Sequence, residues 1–125
     1  MALLSDSAAE RLVDTAKDTA GDELRSVTYF THDDFDQLYL RADLKRGADL
    51  SSFIGLEWRE SGITEGAYQG TELGEIEYTI RAFENGYLLR VETDHAGVFI
   101  TTDRLAMGNF EELALALEDV LESFE

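Results

Sequence analysis

The chain has no cysteine and no proline, and only Lys17 and Lys45 among its ten basic residues are lysines. Without cysteine there is no disulfide framework and no thiolate metal site. No apolar run approaches membrane-spanning length, and no basic stretch leads into an apolar one as in a secretory leader. A soluble cytoplasmic protein is therefore expected. No proline-rich, low-complexity or repeated segment marks a linker, and 125 residues suit a single domain, 1–125, able to bury a core unaided. Neither a glycine-rich dinucleotide fingerprint nor a phosphate-binding P-loop occurs, so nucleotide binding has no support and no cofactor is expected. The G-x-S-x-G elbow is missing, and His32 and His95 are the only histidines to act as a base. No catalytic residue emerges, and the expectation is a protein that is not an enzyme.

What the chain has in excess is acid. Asp and Glu total 27 against 10 Lys and Arg, a formal charge of −17. Such an excess can accompany disorder. Here 44% of residues are hydrophobic and their spacing is periodic, which points to a folded domain. The acids fall mostly on the polar faces of the expected elements. In dilute buffer that surface repels itself. At about 1 M salt the screening length falls to about 3 Å and the penalty largely disappears. The charge therefore reads first as adaptation to a saline cytoplasm; the other reading is a mimic of DNA or a partner for a basic protein. Nucleic acid is excluded as a partner, since no basic stripe accompanies the negative charge.

The apolar periodicity gives the order α-β-β-α-β-β-β-α. Ala9, Leu12, Val13, Ala16 and Ala20 define a first helix over about 7–20, with Ser7 and Glu10 in capping-box spacing and Gly21 as its stop. "LRSVTYFT" and "FDQLYLRA" are strand-like and flank "HDD", forming a hairpin. Leu50, Phe53, Ile54 and Trp58 share a stripe of a second helix over about 49–59. A long irregular loop follows through about residue 74. Residues 75–81 then alternate with period two, and Asn85-Gly86 predicts a tight hairpin turn with positive φ at both positions. "VFITT" closes a three-stranded meander. Asn109 is placed to cap a third helix, with Phe110, Leu113, Ala114, Leu117, Val120, Leu121 and Phe124 as its buried stripe. An α+β fold with one five-stranded antiparallel sheet and helices packed on it is expected.

This element order resembles that of roadblock/LC7-like proteins of the profilin-like group. The motifs "YLRADL", "RAFENGYLLRVE" and "HAGVFIT" in their acidic setting look like those of small uncharacterised haloarchaeal proteins, over about residues 8–122. The first resemblance implies the strand order 2-1-5-4-3 and a homodimer joined through the second helix and the third strand. It makes Phe53, Ile54, Trp58, Ile76 and Tyr78 the interface candidates, with Glu75 and Glu77 as charges that guard the strand edge against stray pairing. It also implies protein partners, such as a small GTPase or a motility or signalling component. The same strand order sets the turns "THDDFD" and "TDHAG" at one end of the sheet. His32, Asp34, Asp94 and His95 are then candidate ligands for a divalent transition metal. Asp and His are also ordinary turn residues, and a solvated turn is the simpler reading. "DDFDQL" lacks the glycine and terminal glutamate of an EF-hand loop.

Two functions follow from these features. One is a halophile-adapted, non-enzymatic interaction or regulatory module, homodimeric. The other is a small ligand- or metal-sensing domain using the turns around His32 and His95.

Overall fold

The computed structural model describes residues 3–46, 48–50, 70–93, 95–104 and 108–124. Among the described residues two α-helices, α1 (Asp6–Ala20) and α2 (Gly108–Ser123), lie on a sheet of five strands, and a short 3-10 turn, Gly21–Glu23, follows α1. The strands are β1 (Leu24–Thr31), β2 (Phe35–Leu40), β3 (Tyr78–Phe83), β4 (Gly86–Glu92) and β5 (Ala96–Thr102). All neighbours run antiparallel, in the order β2-β1-β5-β4-β3. The expected α+β class and strand order are both present. The second helix expected over 49–59, with Phe53, Ile54 and Trp58, lies outside the described residues apart from Asp49 and Leu50, which sit in a turn.

α1 starts one residue earlier than its pattern predicts, because Ser5 and not Ser7 is the cap. Ser5 has extended backbone, and its Oγ accepts from the Ala8 amide at 3.2 Å. That satisfies one of the orphan amides of the first turn. Gly21 ends the helix with φ 57°, its amide donating to the Lys17 carbonyl, as the sequence predicts. Likewise α2 begins at Gly108, so Asn109 lies within its first turn and is not its cap.

The helices cover one sheet face. Leu12, Ala16 and Ala20 of α1 and Phe110, Leu113, Ala114, Leu117 and Leu121 of α2 meet Leu24, Val27, Leu89, Val91, Val98 and Ile100. Burying each large aliphatic side chain contributes about 1.5–3 kcal/mol. An irregularity between Leu24 and Ser26 lets Leu24 and Val27 share this face although three positions separate them. The opposite face carries a smaller cluster, Phe30, Leu88 and Phe99 with Phe35 and Leu50, beside buried Ser26, Thr28, Arg90 and Thr101. Arg90 is held there by Glu92, its Nε 3.3 Å from a carboxylate oxygen.

The β3–β4 hairpin corrects the expected turn. Phe83 pairs with Gly86, so the two-residue loop is Glu84-Asn85, and neither Asn85 nor Gly86 has positive φ. Gly86 is a strand residue whose missing side chain has a steric reason. A Cβ there would run into the Thr102 carbonyl oxygen of β5. β3 also starts at Tyr78, which leaves Ile76 half-buried ahead of the strand. Tyr78 and Ile80 pack against the helix-side core. The preceding stretch is irregular as expected where described, with Gly70 and Gly74 at positive φ and Leu73 97% exposed between them.

Candidate functional site

Antiparallel pairing gives the sheet two distinct ends. One end gathers the β1–β2 turn and the residues just before β5. The other gathers the start of β1, the ends of β2 and β5, and the β3–β4 turn.

At the first end the structure brings the two histidine turns together. Thr31 pairs with Ala96, so the turns that carry His32 and His95 leave the same end of the sheet, and both histidines are exposed. The "THDD" turn is tied up locally. The Thr31 hydroxyl accepts from the amides of Asp33 and Asp34, each at 3.3 Å. Asp34 Oδ1 accepts from the Phe35 amide at 2.8 Å. Asp34 is thus a turn-forming residue, as its type favours. Asp94 lies outside the described residues. Among the described residues no three His, Cys, Asp or Glu side chains gather as a metal would require.

The second end holds the denser chemistry, and none of it stands out in the sequence. The Arg25 guanidinium donates from Nε to Asp49 Oδ2 at 2.8 Å and from Nη1 to Asp103 Oδ1 at 3.2 Å. Arg41 donates from Nη1 to Asp103 Oδ2 at 2.7 Å and from Nε to Asp43 Oδ1 at 2.6 Å. Asp49 Oδ2 also accepts from the Thr101 hydroxyl at 2.7 Å, and Thr101 Oγ1 lies 2.6 Å from Ser26 Oγ. A carboxylate only accepts, so the Thr101 proton goes to Asp49 and Ser26 must donate to Thr101. The result is a continuous polar chain from buried Ser26 to exposed Asp43.

Backbone bonds fix the three strand ends that carry it. The Arg41 amide donates to the Arg25 carbonyl and the Asp103 amide to the Glu23 carbonyl, both at 2.8 Å. Asp49 has φ 58°, the one non-glycine residue with positive φ among the described residues. A left-handed aspartate persists where its contacts over-determine it, and here Arg25 and Thr101 both hold it.

The charges respond to this geometry. Arg41 and then Arg25, both hydrogen-bonded to Asp103, hold its carboxyl below the ordinary value against the opposing effect of burial. Asp43 is lowered by Arg41. The Asp49 hydrogen bond raises Arg25, and the Asp103 hydrogen bond raises Arg41. One acid elsewhere moves the other way. Burial, and then the charge of Glu122, push Glu118 on α2 upward.

Beside the network opens a cleft of about 430 Å³, within the range of small-ligand pockets. Arg25, Asp49 and Thr101 form one side, and the hairpin residues Phe83, Glu84 and Asn85 another. The Phe83 ring is 44% exposed. Nearby, Arg104 places its guanidinium carbon 5.5 Å from the Tyr87 ring centroid and donates to the Glu84 carbonyl at 3.4 Å.

A family model described as a domain of unknown function (DUF7522) matches residues 10–122. The chain belongs to this family. No curated protein matches the sequence. Among solved structures the fold is similar to one described as MglB with tetrameric arrangement, with TM-score 0.69 and 17% identity over 96% of this chain and 94% of that one. It is similar to the gliding protein MglB from Thermus thermophilus, with TM-score 0.67 and 17% identity over 96% and 95%. Myxococcus xanthus MglB gives TM-score 0.64 and 11% identity over 100% and 97%. At these identities the likeness concerns the fold, which is roadblock/LC7-like. No helix among the described residues is long and apolar enough to cross a membrane.

Proposed function

We propose that the chain is a non-enzymatic protein-interaction or regulatory module that works as a homodimer in a saline cytoplasm. The observation that carries the reading is the roadblock-like sheet, in which β3 is an edge strand among the described residues. Tyr78 and Ile80 anchor β3 to the core, and its outer backbone edge closes the strand order. An edge strand so anchored is a ready template for pairing with a second copy. A structure described as MglB with tetrameric arrangement supports self-association as a property of this fold. The acidic surface supports the saline setting. Light scattering in molar KCl tests the dimer. A mass near twice 14.0 kDa is expected, and a mass of 14.0 kDa at every concentration would overturn it.

One observation favours a second reading, metal sensing. The register pairs Thr31 with Ala96, so the turns that carry His32 and His95 lie at the same end of β1 and β5, and two imidazoles suit copper, nickel or zinc. Titration with zinc, followed through histidine NMR shifts, decides it. Site-selective shifts at stoichiometric metal support a two-histidine site, and their absence removes it.

A further inference from the structure

We infer that two copies of this chain pair their β3 strands antiparallel with Thr79 on the two-fold axis, so that Glu77 of each copy meets the partner's Arg81. The inference rests on the homodimer reading and supplies its register.

The two edges of the sheet are not equivalent. On β2 an extra residue, Leu38, interrupts the pairing with β1 between Gln37 and Tyr39. Such a bulge turns an edge away from further pairing. β3 pairs with β4 without a break from Tyr78 to Phe83, so its outer edge is regular. The sequence also writes more strand than one chain uses. Period-two alternation begins at Glu75, but the ladder with β4 begins at Tyr78. Glu75, Ile76 and Glu77 carry a strand pattern without a neighbouring strand among the described residues. A second copy supplies one.

Face, length and charge together fix the register. Tyr78 and Ile80 pack on the helix side, while Thr79 accepts from Arg90 Nη2 at 3.5 Å on the other. An antiparallel two-fold pairing that keeps both faces continuous must therefore set a residue on the axis. Gly74 has φ 85°, and the Glu84-Asn85 loop closes the hairpin, so the segment able to run extended is 75–83. Its midpoint is Thr79, and an axis there pairs it end to end. Arg81 is the one basic residue between Gly70 and Leu89. An axis at Arg81 would set like charges face to face, which destabilises a pair. An axis at Thr79 sets Arg81 against the partner's Glu77, twice by symmetry.

The side chains suit this arrangement. Arg81 has a contact within its own chain, and the remaining donors of its guanidinium serve a second carboxylate. Tyr78 faces the partner's Ile80, an aromatic and β-branched pair of the kind that stabilises sheets. Half-buried Ile76 faces the partner's Ala82, which is exposed in the single chain. There Glu77 lies ahead of the strand, where its charge, after burial and the charge of Glu122, helps to raise Glu118. Extending β3 carries Glu77 to the Thr79 face. An ion pair in contact within such a seam is screened by salt much less than exposed charges are.

The test exploits the absence of cysteine. The full-chain variants Tyr78→Cys, Thr79→Cys, Ile80→Cys and Arg81→Cys are oxidised with diamide in molar KCl. Opposed residues of an antiparallel pair lie about 4.5–5.5 Å apart between Cα atoms, within the reach of a disulfide. One position from the axis, the two copies of a residue are offset by a further distance of about 6.8 Å along the strand, which is out of reach. A covalent dimer on non-reducing electrophoresis is expected for Thr79→Cys alone. Under reducing conditions each variant should keep the circular dichroism of the unchanged chain. Independently, Glu77→Arg and Arg81→Glu should each weaken the dimer about tenfold by light scattering, and the variant carrying both should recover it. A dimer that links best at position 78, 80 or 81, or whose Thr79→Cys variant stays unlinked, overturns the register and leaves the dimer standing. So does a double variant no tighter than either single one. An unchanged chain that is a monomer at every concentration refutes the dimer reading, and the register with it.

Discussion

Asp49 is the residue whose replacement tests the polar network most directly. Its Oδ2 accepts from Arg25 Nε at 2.8 Å and from Thr101 at 2.7 Å, and its side chain is 12% exposed. Hydrogen bonds to charged groups contribute about 1.5–3 kcal/mol each. Arg25 keeps Asp103 and is 26% exposed, so water recovers part of the loss. Asp49→Ala should therefore cost about 3 kcal/mol, toward the lower end of the two bonds' sum. The backbone adds a second, independent signature. At φ 58° a Cβ is strained by about 1–2 kcal/mol, whereas glycine there loses about 0.5–1 kcal/mol of chain entropy. Asp49→Gly should thus be more stable than Asp49→Ala by about 0.5–1 kcal/mol, the reverse of the order at an ordinary position. Urea unfolding in molar KCl, followed by circular dichroism, measures both, because urea leaves the ionic strength unchanged. An alanine variant that loses less than about 1 kcal/mol would refute the network as a stabilising unit. An alanine variant as stable as the glycine variant would refute the left-handed backbone.

Three further outcomes follow from the same geometry. Gly97→Ala should cost about 1–3 kcal/mol in the same urea assay, because its Cβ would run into the Phe30 ring in a packed cluster; a neutral result would mean the cluster is loose. The thermal midpoint should fall on transfer from molar KCl to dilute buffer, as the −17 surface loses its screening; equal midpoints would remove the salt-adaptation reading. Stability in molar KCl should pass through a maximum in mild acid. Glu118 titrates above its ordinary 4.5 in the folded chain, so its protonation favours the folded state; that contribution is complete below 4.5 and is lost as pH rises through the raised folded value. Asp103 titrates below its ordinary 3.8, so its contribution is complete above 3.8 and is lost as pH falls through the folded value. Glu118→Gln should flatten the upper limb of a pH series of unfolding curves, and Asp103→Asn the lower one.

Much of the fold was legible because burial writes a period into the chain. The stripe of α2 and Leu89 and Val91 of β4 place apolar residues where the helix-side core needs them, and all are covered there, whereas the burial of Leu88 and Arg90 on the other face of β4 has no counterpart in an alternating pattern. The misplaced details are those that tertiary contact decides. Asn85-Gly86 carries the composition of a positive-φ turn, yet the loop is Glu84-Asn85, because Gly86 is needed where β4 passes the Thr102 carbonyl. Ser7 has the capping-box spacing, but Ser5 has the extended backbone, and its hydroxyl accepts from the Ala8 amide.

The two ends of the sheet show why one candidate site was visible in the sequence and the other was not. Histidine occurs twice in the chain, so His32 and His95 stand out in a row of letters, and a strand order suffices to bring them together. Aspartate is the opposite case. In a chain with 27 acids, Asp49 and Asp103 look like any solvated carboxylate. What distinguishes them is arginine, which is scarce here. Arg25, Arg41 and Arg104, three of the ten basic residues, converge on one end of the sheet. A chain so poor in cations has few to pair with its acids, and uses these where strand ends must be held. Arg25 and Asp103 are 78 positions apart and Arg41 and Asp103 are 62, separations no local pattern encodes. In a strongly acidic protein the scarce charge is therefore the better guide to a site, once the strand order says which ends meet.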